Sequence, residues 1–143
     1  MHLVIESSRC TGCRICEVFC SFRHEDCVRP SRSRILVGRL ETAGDFAVVT
    51  CRQCSHALCA DACPAGALAR SPLTGAVELD GACCVGCQLC VAACPFGGIT
   101  WDPERELPFK CDLCQGQPEC AHMCPTGAVR KTDDAQSAGE GAT

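Results

Sequence analysis

Large aromatic side chains are almost absent from this sequence, which has five Phe, one Trp and no Tyr among 143 residues. The hydrophobic content of 47% counts 18 cysteines, so aliphatic and aromatic side chains make up a much smaller share than that figure suggests. A chain with so little bulky apolar volume makes a poor hydrophobic core. We therefore expect something other than apolar packing to hold the fold together.

The sequence also lacks the signals of secreted and membrane proteins. Its opening, MHLVIESSRC, contains neither a basic stretch followed by an apolar one nor a twin-arginine pair, and no apolar run approaches the length of a membrane span. Without a secretory signal, 18 cysteines indicate metal centres in a reducing compartment rather than disulfides. We expect a soluble, cytoplasmic, metal-binding chain with no membrane span.

Sixteen of the cysteines fall into four runs of four. Run one is Cys10, Cys13, Cys16 and Cys20; run two is Cys51, Cys54, Cys59 and Cys63; run three is Cys84, Cys87, Cys90 and Cys94; run four is Cys111, Cys114, Cys120 and Cys124. Runs one and three share the spacing C-x2-C-x2-C-x3-C, and proline follows the last cysteine of runs two, three and four. This pattern is typical of [4Fe–4S] proteins, where the fourth cysteine of a run binds the other cluster of a pair.

Zinc is the main alternative metal, because paired C-x2-C motifs also build zinc ribbons. Zinc sites take pairs of cysteines, however, and not triplets followed by Cys-Pro. The three endings CPAGA, CPFGG and CPTGA have no reason to recur in a zinc protein. The spacing therefore favours four [4Fe–4S] clusters.

Two cysteines are left outside the runs. Cys84 rather than Cys83 begins run three, because CTGC and CVGC then superpose with glycine in the same place and Cys83 aligns with Arg9. We expect Cys83 to be a buried small hydrophobic residue, with a reserve ligand during cluster assembly as the weaker alternative. Cys27 lies between runs one and two and is not expected to be a ligand.

Four oxidised clusters would make the molecule strongly acidic. Each cluster with its four thiolates carries about −2, so four of them bring the formal chain charge of −4 to about −12. Arg14, Arg52 and Lys110 lie next to predicted ligands and could compensate this charge. Ordinary solvated side chains are the equally weighted alternative for all three.

Nothing in the sequence indicates a reaction on an organic substrate. No pairing of a nucleophile with a base and no phosphate-binding loop stands out. With sixteen cysteines available, the four histidines are expected to be hydrogen-bond donors near the clusters or surface groups; they are His2, His24, His56 and His122. The chain is predicted to be a non-catalytic electron carrier.

Short strands and turns are predicted between the runs. We expect a first strand over residues 2–6 and two hairpins, over residues 34–50 with a turn near 43–45 and over residues 67–80 with a turn near 72–75. A short helical turn is expected after each Cys-Pro. Residues 132–143 are small, polar and acidic, and are predicted to be a disordered tail.

The order of the runs predicts a nested, two-lobed α+β fold that is stabilised by its clusters. Runs two and three are close in sequence and should form one dicluster lobe, over about residues 51–99. Runs one and four should close the other lobe, over about residues 1–50 and 100–131. The four-cluster domain is thus expected to span residues 1–131 as two pseudo-symmetric lobes like bacterial ferredoxins, with short β-hairpins and short helices.

The segment SFRHEDCVRPSRSRI at residues 21–35 does not fit a bare ferredoxin, because it places four arginines in an acidic chain. Docking of a partner or shielding of a neighbouring cluster is the slightly favoured interpretation, and a solvated loop is the alternative. Nucleic-acid binding is not expected, given the net acidity and the lack of aromatic residues.

Over residues 3–131 the four runs resemble the four-cluster electron-transfer subunits of molybdenum and tungsten pterin oxidoreductases. The opening CTGCRICEVFCSFRHE with RPSRSRI downstream is most similar to the small iron–sulfur subunits of tungsten-containing aldehyde oxidoreductases. Related small subunits serve tungsten-type benzoyl-CoA reductases and carbon monoxide dehydrogenases.

This resemblance implies ligand sets that cross between runs and a roughly linear row of clusters. Cluster 1 would be held by Cys10, Cys13, Cys16 and Cys124; cluster 2 by Cys111, Cys114, Cys120 and Cys20; cluster 3 by Cys51, Cys54, Cys59 and Cys94; and cluster 4 by Cys84, Cys87, Cys90 and Cys63. Every ligand position is a cysteine, so the three-iron cluster of some relatives is not expected.

The resemblance also implies partners. Electrons would pass between a catalytic pterin–metal subunit and a flavin subunit or a soluble ferredoxin. The alternatives are a subunit of a nickel hydrogenase or carbon monoxide dehydrogenase, a free polyferredoxin, and a redox or iron sensor. Clusters exposed at both ends of the row could also let copies of the chain stack end to end.

Overall fold

A computed structural model describes residues 1–41 and 44–133 of the chain. Within these residues the strands are β1 (His2–Ile5), β2 (Ile35–Arg39), β3 (Phe46–Thr50), β4 (Leu68–Arg70), β5 (Val77–Leu79), β6 (Ile99–Asp102), β7 (Leu107–Lys110) and β8 (Val129–Thr132). The α-helices are α1 (Ile15–Glu25), α2 (Leu58–Asp61), α3 (Leu89–Ala93) and α4 (Glu119–Met123). Single 3-10 turns form at Ser7–Arg9 and Pro30–Arg32, and Leu113–Gly116 form a turn with left-handed backbone. None of the described helices is long and apolar enough to cross a membrane.

The strands pair in four antiparallel, two-stranded sheets: β1 with β8, β2 with β3, β4 with β5, and β6 with β7. The first strand and the two hairpins that the sequence predicts are confirmed. Residue 43, where the first hairpin was expected to begin its turn, lies outside the described residues. So do residues 134–143 of the predicted tail, whereas Thr132 ends β8.

Two strand pairs are additional to those predicted. β6 and β7 form a hairpin whose second strand carries Pro108 opposite Trp101, and a proline argues against a strand in the sequence alone. β8 pairs with β1, with Thr132 opposite His2. This pairing brings the beginning and the end of the described chain together.

The helices lie before each Cys-Pro and not after it, which corrects the expectation of a helical turn following the proline. α3 ends at Ala93 and α4 at Met123, and the next residues, Cys94 and Cys124, have extended backbone with φ of −77° and −70°. A proline disfavours helical backbone at the residue before it. The proline therefore ends α3 and α4 at the residue preceding the last cysteine of the run, and α2 ends one residue earlier, at Asp61.

Buried side chains form two hydrophobic clusters. The larger one joins residues from both ends of the chain: Leu3, Cys16, Cys20, Ile35, Val37, Val48, Ala76, Cys111, Leu113, Cys120 and Val129. The smaller one consists of Leu68, Val77, Cys90 and Ile99. The larger cluster also includes Ala76 from the predicted second lobe, so the two clusters do not follow the lobe boundaries strictly, and the two-lobe arrangement stays a prediction.

Arg32 and Arg34, within the basic segment at residues 21–35, are used inside the fold. Arg32 is 8% exposed and pairs with the buried Asp102 of β6 and with Glu104. Arg34 donates to the carbonyl oxygen of Lys110 at 3.0 Å. The expectation that the whole segment is a docking surface is therefore wrong for these two residues, because their charges are neutralised or hydrogen-bonded internally.

Candidate metal centres

The loops that begin runs one and three have the same backbone conformation. Gly12 and Gly86 have φ of 73° and 72°, and Arg14 and Gln88 both have φ of 61°. Left-handed residues at alternate positions curl the loop tightly, and glycine adopts this conformation without steric cost. The third cysteine of the run then lies in the first turn of a helix, at Cys16 in α1 and Cys90 in α3.

A cavity lies between run two and the end of run three. Its volume is about 420 Å³, and the cysteines in its wall are Cys51, Cys54, Cys59 and Cys94. Lys110 and Phe96 complete parts of the same wall. The four cysteines are the set that the resemblance implies for cluster 3.

Two small cavities lie among the implied sets for clusters 1 and 4. One, of about 20 Å³, has Cys10, Cys13, Cys16 and Cys124 in its wall. The other, of about 10 Å³, has Cys63, Cys84, Cys87 and Cys90 in its wall. The cysteines of the first cavity come from runs one and four, at opposite ends of the chain, and those of the second come from the neighbouring runs two and three.

The remaining set, for cluster 2, is almost completely buried. Cys20, Cys111, Cys114 and Cys120 are each at most 8% exposed. The pKa of Cys111 is raised to about 12, mainly by burial, and the nearby thiolates of Cys51 and Cys20 contribute to the rise. Burial also raises the pKa of Cys120, and Cys111, Cys20 and Cys114 add to this effect.

These positions bring together all sixteen predicted ligands in four groups of four. The donor chemistry fits iron, because thiolates are the ligands that [4Fe–4S] clusters take. Thiols that are buried and protonated on their own become thiolates on binding metal, so cluster binding would release protons and stabilise the fold. The assignment of each cysteine to a cluster remains a prediction.

Backbone N–H groups point at several of the sulfur atoms. Ala67 donates to Cys63 Sγ at 3.2 Å, Gly98 to Cys94 Sγ at 3.3 Å, and Arg34 to Cys20 Sγ at 3.3 Å. The hydrogen bond from the Ala67 N–H lowers the pKa of Cys63. Such donors stabilise negative charge on sulfur and help to set the potential of a cluster.

Neighbouring sets lie close to one another, and the roughly linear row that the resemblance implies stays a prediction. Ionised Cys16, of the cluster 1 set, is close enough to raise the pKa of Cys120, of the cluster 2 set. Cys51, of the cluster 3 set, has the same effect on Cys111. Cys63 and Cys94 pack against the same small hydrophobic cluster, which places the sets for clusters 3 and 4 side by side.

His24 acts as the hydrogen-bonding histidine that the sequence suggested. Its ring lies 2.9 Å from the carbonyl oxygen of Cys20 and 3.0 Å from Asp112 Oδ1. Although burial opposes it, the hydrogen bond to Asp112 raises the pKa of His24 to about 9. His24, Asp112 and Cys114 offer three metal donor atoms within 4.8 Å of one another, in the wall of the cluster 2 set.

Gln53 is a linking residue that sequence reasoning missed. It is 6% exposed and has φ of 48°. Its side chain donates to the carbonyl oxygen of Cys111 at 2.8 Å and accepts from the Val77 N–H at 2.8 Å. A polar residue between two cysteines of a run was the only available signal, and it does not distinguish a buried link from a solvated side chain.

The two cysteines outside the runs are both exposed. The expectation that Cys83 is buried is therefore wrong. Its thiol donates to Asp80 Oδ2 at 3.4 Å, and this hydrogen bond raises the pKa of Cys83. The short turn after β5 holds Cys83 at the surface.

Comparison with known proteins places these sites in a family. Residues 42–134 match the model of the 4Fe-4S dicluster domain. The chain is 41% identical over 123 residues to the polyferredoxin-like subunit of an aliphatic sulfonate oxidoreductase from Pyrococcus furiosus, covering 85% of this chain and 70% of that protein. It is 34% identical over 138 residues to the electron transfer subunit PhsB of a Salmonella typhi thiosulfate reductase, covering 87% and 71%. Other relatives are longer, and the chain spans only 29% of one that is 35% identical to it.

A solved structure is also similar. The active site complex BamBC of benzoyl coenzyme A reductase, in complex with zinc, contains a chain that is 26% identical, with a TM-score of 0.50 and coverage of 94% of this chain and 81% of that one. The two relatives named above are called polyferredoxin-like and electron transfer subunits of oxidoreductases. The chain therefore belongs to the 4Fe-4S dicluster domain family, as a small ferredoxin-like, non-catalytic iron–sulfur protein that binds [4Fe–4S] clusters.

Proposed function

We propose that the chain carries four [4Fe–4S] clusters and relays electrons between a catalytic oxidoreductase subunit and a second redox partner. The observation that carries the proposal is the grouping of sixteen cysteines into four sets, each of which takes its fourth member from another run. A dicluster domain accounts for two clusters over residues 42–134. Four clusters need eight further ligands, and runs one and four together supply them, with four cysteines each.

The proposed ligands follow the four groups. Cys10, Cys13, Cys16 and Cys124 bind cluster 1; Cys111, Cys114, Cys120 and Cys20 bind cluster 2; Cys51, Cys54, Cys59 and Cys94 bind cluster 3; and Cys84, Cys87, Cys90 and Cys63 bind cluster 4. The exchange of the fourth cysteine between runs is the usual feature of two-cluster ferredoxins.

The ends of the row are the proposed points of electron entry and exit. Cys13 and Cys87, in the sets for clusters 1 and 4, are exposed, whereas the cysteines of the cluster 2 set are buried. Partners would therefore exchange electrons with clusters 1 and 4, and clusters 2 and 3 would connect them. The same exposure leaves stacking of two copies as a further arrangement.

The proposed catalytic partner holds a tungsten or molybdenum pterin and is an aldehyde oxidoreductase. This finer assignment rests on the resemblance carried by CTGCRICEVFCSFRHE and RPSRSRI. The similar subunits from Pyrococcus furiosus and Salmonella typhi are named for a sulfonate oxidoreductase and a thiosulfate reductase, so this kind of subunit serves more than one chemistry. A flavin subunit or a soluble ferredoxin is the proposed acceptor, and the cytoplasm, which keeps thiols reduced, is the proposed location.

Elemental analysis of the native complex, purified without oxygen, tests the proposal. Iron, sulfide, tungsten, molybdenum, nickel and zinc are measured per copy of this chain. About sixteen irons beyond those of the partner would support four clusters, and tungsten in the same complex would support the proposed partner.

Other results would contradict specific parts of the proposal. About eight irons per chain would leave only a dicluster protein. Nickel without a pterin metal would replace the aldehyde oxidoreductase with a hydrogenase or carbon monoxide dehydrogenase. Zinc in place of iron would contradict electron transfer altogether.

A further inference from the structure

Lys110 is a buried cation between two of the proposed clusters. It is the last residue of β7 and is 4% exposed. It contributes to the wall of the 420 Å³ cavity that contains Cys51, Cys54, Cys59 and Cys94, and it directly precedes Cys111, a proposed ligand of cluster 2.

The ammonium group of Lys110 is held by two backbone oxygens. It donates to the carbonyl oxygen of Val77 and, at 3.0 Å, to that of Cys111. Among the described residues, no carboxylate lies within ion-pair distance of its Nζ. Glu78 and Asp112 face a separate polar cavity of about 360 Å³ that Lys110 also borders.

A buried ammonium without a carboxylate is costly, because desolvation of a charge is repaid only by a nearby opposite charge. A [4Fe–4S] cluster with four thiolates would provide that charge, at about −2 when oxidised and about −3 when reduced by one electron.

The other two cations named from the sequence are less suited to this role. Arg14 has 55% of its side chain exposed and pairs with Glu17 at 3.3 Å. Arg52 lies over the ring of Phe96, 5.1 Å from its centroid, at the wall of the cluster 3 cavity. Lys110 is the most deeply buried of the three, and a low-dielectric setting makes its charge the most effective.

We propose that Lys110 raises the reduction potential of cluster 3, so that this cluster accepts an electron more readily than it would without the buried charge. The inference rests on the proposed function, since it requires a cluster bound by Cys51, Cys54, Cys59 and Cys94. The step is the uptake of one electron from the catalytic partner, with no bond formed and no proton transferred. The positive charge stabilises the reduced cluster more than the oxidised one, because the reduced cluster is more negative.

The test is a redox titration of the whole complex, followed by electron paramagnetic resonance, for Lys110→Gln, Lys110→Arg and Arg14→Gln. Glutamine keeps a hydrogen-bond donor but removes the charge. Arg14→Gln is the matched control, since Gln88 occupies the same left-handed position in run three. For Lys110→Gln we expect the equilibrium constant for reduction of one cluster to fall about tenfold, equivalent to about 59 mV for one electron. Lys110→Arg should largely retain the native potential, and Arg14→Gln should change none of the potentials comparably.

Iron content, measured on the same samples, separates the two proposals. Unchanged potentials in a Lys110→Gln complex with its full iron would overturn the inference and leave the proposed function intact. If the native complex contains only about eight irons per chain, the proposed four-cluster function is contradicted, whatever the variants show. If both Lys110→Gln and Lys110→Met lose cluster 3, the inference is also overturned, because Lys110 would then hold the site together rather than tune its potential.

Discussion

The side-chain amide of Gln53 donates a hydrogen bond of 2.8 Å to the carbonyl oxygen of Cys111, 58 residues further along the chain. The same amide accepts from the Val77 N–H at 2.8 Å. One buried side chain therefore joins run two, run four and β5. It fixes the wall between the proposed sites of clusters 2 and 3.

Replacement of Gln53 by alanine should destabilise this junction. The change leaves the N–H of Val77 buried without its partner, which costs about 1–3 kcal/mol. It also removes one of the two donors to the carbonyl oxygen of Cys111, which then accepts only from Lys110. We expect faster loss of iron to a chelator under anaerobic conditions, measured by the bleaching of cluster absorbance. A loss rate equal to that of the native protein would contradict the role of Gln53 as a link.

Gln115→Ala is the matched control for this experiment. Gln115 also has a left-handed backbone, with φ of 57°, but its side chain is exposed. Both variants therefore carry the same backbone strain of a non-glycine residue at positive φ. Only the Gln53 variant should bleach faster.

The cysteine spacing made the candidate sites predictable, because ligand positions are set by local loop geometry. Gly12 and Gly86 recur at equivalent positions, and both adopt the left-handed backbone that a tight loop requires. The hairpin of β2 and β3 was predictable for a similar reason, since β-branched residues flank a polar turn. Local sequence determines these features.

Long-range features were not predictable in the same way. Arg32 is buried against Asp102, 70 residues away, whereas charged residues are usually exposed. β8 has the polar sequence VRKT, and its strand forms because β1 lies beside it. The pairing of β1 with β8 depends on contacts between residues that are far apart in the sequence, and no local sequence pattern predicts it.

Loss of a proposed ligand should remove iron from one site only. We expect Cys124→Ser to lower the iron content of the purified complex from about sixteen to about twelve per chain, because cluster 1 loses its fourth thiolate. Cys27→Ser, which changes an exposed cysteine outside the runs, should leave the iron content unchanged. Equal iron in the two variants would refute the assignment of Cys124.

The arginines of the segment at residues 21–35 should divide into structural and surface residues. Arg32→Gln removes a buried partner of Asp102 and Glu104 and should lower the melting temperature by several degrees. Arg29→Gln changes an exposed side chain and should alter stability by no more than about 0.5 kcal/mol.

Binding to the catalytic partner provides the complementary measurement for this pair. If the exposed part of the segment is a docking surface, Arg29→Gln should weaken association, and the defect should shrink at higher salt because surface charges are screened. Unchanged affinity at low salt would rule out a docking role for Arg29. An equal loss of melting temperature in both variants would contradict the structural role of Arg32.

Gly98 should be the glycine least tolerant of a side chain near the cluster 3 site. A Cβ atom at this position would lie 2.7 Å from Cys51 Cα. The backbone N–H of Gly98 also donates to Cys94 Sγ at 3.3 Å. Because the atom it meets belongs to the backbone, Gly98→Ala must displace the loop that carries Cys51. We expect the loss of about four irons per chain, from cluster 3.

Gly38→Ala is the control for this variant. A Cβ atom at Gly38 in β2 meets nothing within 4 Å, so this substitution should leave every cluster in place. Full iron content in the Gly98 variant would mean that the loop can shift without releasing the cluster, and would contradict the close approach as a constraint on the site.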